Sequence, residues 1–196
     1  MRDVPEGWFA GARAATDGDA RFLLRLRELT PRLTKAGLSA DKSLGESWAA
    51  GPFVGVELDH LIAPLRWLWV TYRDTVEAGL LACAWGDYTR FDDWGPIDGN
   101  VYATDRRPGA DLHSGATPER AAEAAVVWIS EQAHRGVRRE EWDGRRPRTR
   151  WSFTDTGGVL WDTRPSHWRR DHPPNTTQVE QASPDDARDA GGTTPH

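Results

Sequence analysis

Apolar residues recur at helical spacing in two stretches of the chain and alternate in a third. Phe22, Leu26, Leu29 and Leu33 form one stripe after Thr16-Asp17-Gly18-Asp19, whose side-chain oxygens suit an N-cap. Pro31 disfavours helical geometry at Thr30, so this helix is expected to break or kink there and end at Gly37. A second helix is predicted from about Pro118 to Arg135, with Thr117 as cap, Pro118 in the first turn and Gly136 as the stop. Its apolar face centres on Ala121, Ala125, Trp128, Ile129 and Gln132. Thr149, Trp151 and Phe153 alternate with Arg150, Ser152 and Thr154, the period-two pattern of a half-buried strand. With Val137 to Trp142, Val159 to Asp162 and the turn Asp155-Thr156-Gly157-Gly158, this predicts a meander packed on the preceding helix.

Elsewhere the pattern is less decisive. Residues 39–52 read as loop, Phe53-Val54-Val56 as a short strand, and Asn100 to Thr104 as a strand inside an Asp-, Gly- and Pro-rich stretch. Residues 64–86 are ambiguous between helix and strand. Aromatic and β-branched residues make 66–73 a strand, whereas Asp74 and Glu77 offer a capping-box-like start for a helix over 75–86. Gly79 would cost such a helix about 1 kcal/mol relative to Ala. The reading is an α+β fold: two or three helices on a small, mostly antiparallel sheet, with a C-terminal β-meander. Residues 1–16 form a flexible lead-in onto which Trp8-Phe9 could dock, and 17–172 form one domain. After Pro173 apolar residues nearly vanish, so 173–196 is expected to be a disordered acidic tail.

Composition adds an aromatic load. Eleven tryptophans (Trp8, Trp48, Trp67, Trp69, Trp85, Trp94, Trp128, Trp142, Trp151, Trp161 and Trp168) supply enough apolar area to anchor one core. The single cysteine, Cys83, excludes an intrachain disulfide and sits in an apolar run, where it reads as a small packing residue. The first fifteen residues lack the apolar region of a signal peptide, and no stretch is long enough to span a bilayer, so a cytoplasmic location is expected. Arginine outnumbers lysine 23 to two, an actinobacterial-like bias that is silent on activity.

The net charge of −5 conceals an asymmetry. Residues 41–134 carry fifteen acids and seven bases, whereas 135–170 carry ten arginines and five acids. Arg138, Arg139, Arg145, Arg146, Arg148 and Arg150 could contact phosphates while Trp142 and Trp151 stack on bases. The same arginines read more simply as the solvated face of a meander, partly neutralised by Glu140, Glu141 and Asp143. Asp87, Asp92, Asp93 and Asp98 are the one carboxylate cluster dense enough to suggest a hard-cation site, although their spacing is not that of an EF-hand and such residues are ordinary in turns. The six histidines lack metal-ligand spacing. His134 suits a helix C-terminus, and Asp59-His60 is an acid–base pair only by adjacency. No phosphate loop, dinucleotide fingerprint or nucleophile elbow is present, and no cofactor is implied.

These features favour a non-enzymatic protein-binding module, of the kind found among immunity or inhibitor proteins and accessory factors of phages and mobile elements. Such a module is expected to expose a contiguous patch of indoles to a protein partner. The alternative is a nucleic-acid-binding protein using the arginine block. A third reading, a hydrolase-type enzyme built on the aspartate loop or His60, requires a concave pocket that gathers those side chains.

Overall fold

The computed structural model describes residues 7–48, 51–61, 65–74, 79–86, 110–145, 147–163 and 173–181. The first helix, α1 (Asp17–Glu28), opens with a capping box: Thr16 Oγ1 accepts from the Asp19 amide, and Asp19 Oδ2 accepts from the Thr16 amide, each at 3.0 Å. The break expected at Thr30 is present, and α2 (Thr30–Lys35) follows Leu29; the turn just beyond its C-cap Ala36 is made by Gly37, whose φ of 75° suits glycine. Helix α3 (Pro118–Gln132) is capped by Thr117 as the sequence predicts. Helices α1 and α3 pack lengthwise, tied at their rims by Arg21–Glu119 and Arg25–Glu123, each at 2.7 Å.

Two antiparallel sheets complete the α+β fold. In the first, β1 (Ser43–Trp48), β2 (Gly51–Glu57), β3 (Trp67–Arg73), β4 (Leu80–Gly86) and β5 (Ala110–Ser114) lie side by side in chain order. In the second, β6 (Val137–Trp142), β7 (Arg148–Phe153), β8 (Val159–Asp162) and β9 (Thr176–Glu180) are ordered β8-β7-β6-β9. Val54, Val56, Leu68, Val70, Tyr72, Leu81, Cys83 and Trp85 from the first sheet share one core with α1, α3 and Val137, Trp151 and Phe153 of the second. On the opposite face of the first sheet, Trp69 stacks on Phe53 at 4.4 Å and on Trp67 at 5.0 Å. The close neighbours of α3 are α1, α2, β3 and β4, so it lies over the first sheet and not chiefly on the C-terminal meander.

Several expectations change. Residues 43–48, read as loop, form β1. The helix expected over 75–86 is, from Leu80, the strand β4, paired with β3 and β5 and buried from Leu81 to Trp85. Residues 176–180, assigned to the disordered tail, form β9 against β6, with Arg139 opposite Gln178. The lead-in is tied down from Phe9, which is 0% exposed. The Phe9 amide donates to Ser43 Oγ, and Arg27 donates to the carbonyls of Phe9 and Ala12. The strand expected at 100–104 and the remainder of the tail, 182–196, lie outside the described residues. Among the described residues no helix is long and apolar enough to cross a membrane.

Candidate functional site

The described members of the arginine block fall on β6, β7 and the turn between them, where three of them, Arg139, Arg148 and Arg150, are engaged within the sheet. Arg148 is 5% exposed, and its Nε donates to Asp162 Oδ1 at 2.8 Å while its Nη2 pairs with Oδ2. That bidentate pair raises the Arg148 pKa further above its ordinary value, and the guanidinium lies 4.9 Å from the Trp142 ring centroid. Arg150 is buried beside Glu140 at 3.8 Å, and Arg139 pairs with Glu141 near the Trp151 ring. Trp142 and Trp151 are themselves buried, so neither offers a stacking face. Arg138 and Arg145 are exposed, and Arg146 lies outside the described residues. The aspartate loop of Asp87, Asp92, Asp93 and Asp98 also lies outside them. Five described indoles (Trp69, Trp85, Trp128, Trp142 and Trp151) are buried, and Trp8, Trp67 and Trp161 are half-buried. Among the described residues, then, no contiguous patch of exposed indoles forms.

Concave geometry lies elsewhere, in a cleft of about 310 Å³ where three separate segments meet. The end of α2 contributes Ala36 and Gly37, and the following turn gives Leu38, Ser39 and Lys42. Glu57, Leu58, Asp59 and His60 come from the end of β2, and Ala133 and His134 from the end of α3. Local hydrogen bonds set these positions. Leu38 donates to the Leu33 carbonyl at 3.1 Å and closes α2, while Leu61 donates to the Leu58 carbonyl at 3.1 Å and folds the Asp59-His60 turn. Leu58, 2% exposed, forms the apolar floor.

Lys42 Nζ lies 2.9 Å from Asp59 Oδ1, and Glu57 pairs with Arg66. His134 Nδ1 sits 2.9 Å from the Ser130 carbonyl. Two lone pairs cannot face each other at that distance, so Nδ1 carries hydrogen and, in the neutral ring, Nε2 is the acceptor. Among the described residues no three His, Cys, Asp or Glu side chains are grouped to hold a metal ion. The polar side chains lining the cleft can form hydrogen bonds and ion pairs. The sequence offers His60 only as a candidate for the enzyme reading and His134 only as a helix-end residue; nothing local in the chain signals that a turn and a helix end so far apart line one cleft. Comparison with protein-family models, curated proteins and solved structures finds no match for this chain.

Proposed function

We propose that the chain is a non-enzymatic protein-binding module acting in the cytoplasm, and that it takes an extended segment of its partner as an added strand along β9. The observation that supports this reading is the character of that edge. Among the described residues strand β9 is the outermost of its sheet, its first four side chains are exposed, and Val179 is 58% exposed. Its sequence, Thr-Thr-Gln-Val-Glu, is rich in β-formers and lacks the proline and lysine that commonly blunt an edge. The edge at β1 is shielded instead: the lead-in packs on it so closely that a Cβ on Gly11 would meet the Gly45 carbonyl oxygen at 2.1 Å. Strand addition draws affinity from main-chain hydrogen bonds and needs neither a catalytic cluster nor an indole patch.

The test is affinity capture from lysate with nuclease-treated full-length chain, comparing the wild type with Thr177→Lys/Val179→Lys and with a surface control, Leu24→Lys. Leu24 is exposed on α1. A stoichiometric protein partner retained by the wild type and the control but lost from the β9 variant supports the reading. Equal capture by all three overturns strand addition. Recovery of nucleic acid in place of protein overturns the whole reading and returns the exposed Arg138 and Arg145 to the centre of the account.

A further inference from the structure

We propose that β9 pairs antiparallel with β9 of a second copy of this chain, about a two-fold axis through Gln178, and that this copy occupies the edge when no partner segment does. The inference rests on the reading that β9 accepts an added strand.

Backbone register fixes which groups are available. Thr154 donates to the Gly136 carbonyl at 3.0 Å, in step with the pairing of Val137 with Phe153. Main-chain groups of successive strand residues point to opposite sides, so Arg138, Glu140 and Trp142 bond to β7 while Val137, Arg139 and Glu141 turn towards β9. Consistent with that direction, the Glu141 carbonyl accepts from the Asn175 amide at 2.8 Å. Opposite them Glu180, Gln178 and Thr176 bond inward, which leaves the N–H and C=O of Thr177 and Val179 facing outward. An axis through Gln178 sets Thr177 opposite Val179 of the second copy, and the reverse, so each outward donor meets an outward acceptor. A register shifted by one residue sets outward groups against inward ones. A shift by two leaves part of β9 unpaired.

The side chains agree with this register. Glu180 falls opposite Thr176 and not opposite another Glu180, so no like charges meet. Exposed Val179 is covered by Thr177 of the second copy, a cross-strand pair of two β-branched residues. Gln178 faces itself, and its amide both donates and accepts. A contact confined to one short strand is small, so association is weak, with a dissociation constant of about 0.1 mM.

Sedimentation equilibrium of the full chain, from about 10 μM to 1 mM, reads the association, and oxidative crosslinking reads its register. The wild type is expected to dimerise over that range. Val179→Pro removes an outward N–H and no inward bond, and it should weaken dimerisation by about tenfold or more. Gln178→Cys places two thiols at directly opposed positions, with Cα atoms about 4.5 Å apart, so mild oxidation should join two chains there. Thr176→Cys, on the same face, lies about 14 Å from its counterpart and should not crosslink. The native Cys83 is buried and takes no part. A wild type that stays monomeric at the highest concentration, or a dimer untouched by Val179→Pro, overturns self-pairing and leaves partner capture to decide strand addition on its own. Equal crosslinking through both cysteine variants overturns it as well. Dimerisation that follows these expectations while partner capture ignores the β9 substitutions would uphold self-pairing and confine the edge to that role.

Discussion

Arg148 shows how a residue chosen from sequence for one role is committed to another. Its charge suggests a solvent-facing contact, yet its side chain and that of Asp162 are 5% and 9% exposed and joined at two points. An ion pair so enclosed has already lost its hydration, so removing one partner leaves a buried charge without compensation. Asp162→Asn should therefore lower the unfolding free energy by about 3 kcal/mol, read from urea denaturation. Replacing both partners, Arg148→Met with Asp162→Leu, should recover most of that loss because no orphaned charge remains. A negligible effect of Asp162→Asn would show that the pair is solvated and that Arg148 is free to face a ligand. Charge at a strand position was legible in the sequence, but the identity of its partner was not. Asp162 lies on the next strand, where it enters through pairing of β7 with β8.

At the scale of elements, the readable segments are those whose two faces differ. Helix α3 shows a cap, a first-turn proline and an apolar stripe, and β7 shows alternation, so both are found where expected. Strand β4 fails the same test because Leu81, Cys83 and Trp85 face the core while Ala82 and Ala84 on the other face are also buried. A strand buried on both sides has no period to detect and resembles a buried helix. Strand β9 fails for the opposite reason: its order comes from backbone pairing with β6 and not from burial, so its polar composition conceals it. Gly79 separates the two accounts of the β4 region by sign. In a helix, Gly79→Ala would stabilise by about 1 kcal/mol. In the observed fold, a Cβ there would meet the Ala116 carbonyl oxygen at 2.4 Å and Tyr72 Oη at 2.5 Å. Gly79→Ala is thus expected to destabilise by about 1–3 kcal/mol in urea unfolding. Any gain in stability would favour the helix.

At the scale of the whole molecule, the two sheets share a junction in the common core. Trp85 of β4 meets Phe153 of β7 edge to face, with ring centroids 5.5 Å apart, and donates from Nε1 to Gln132 Oε1 of α3 at 3.0 Å. Arg135 caps the contact: its guanidinium lies 3.4 Å from the Phe153 ring centroid and grips both carboxylate oxygens of Asp155. The hydrogen-bonded pair holds Asp155 below the ordinary carboxylate range. Each of these residues is readable singly in the sequence, but their meeting depends on the crossing of sheet, helix and hairpin, as does the cleft assembled from three segments. A junction inside a continuous core makes unfolding cooperative between sheets. Phe153→Ala should cost about 3–5 kcal/mol and open both sheets together. Native-state hydrogen exchange resolves this directly: the slowest amides of β3 and β7 should lose protection by the same amount. Loss confined to β7, with β3 as protected as in the wild type, would mean that the C-terminal sheet opens as its own unit. A partner gripping β9 would then act on a separable flap and not on the body of the fold.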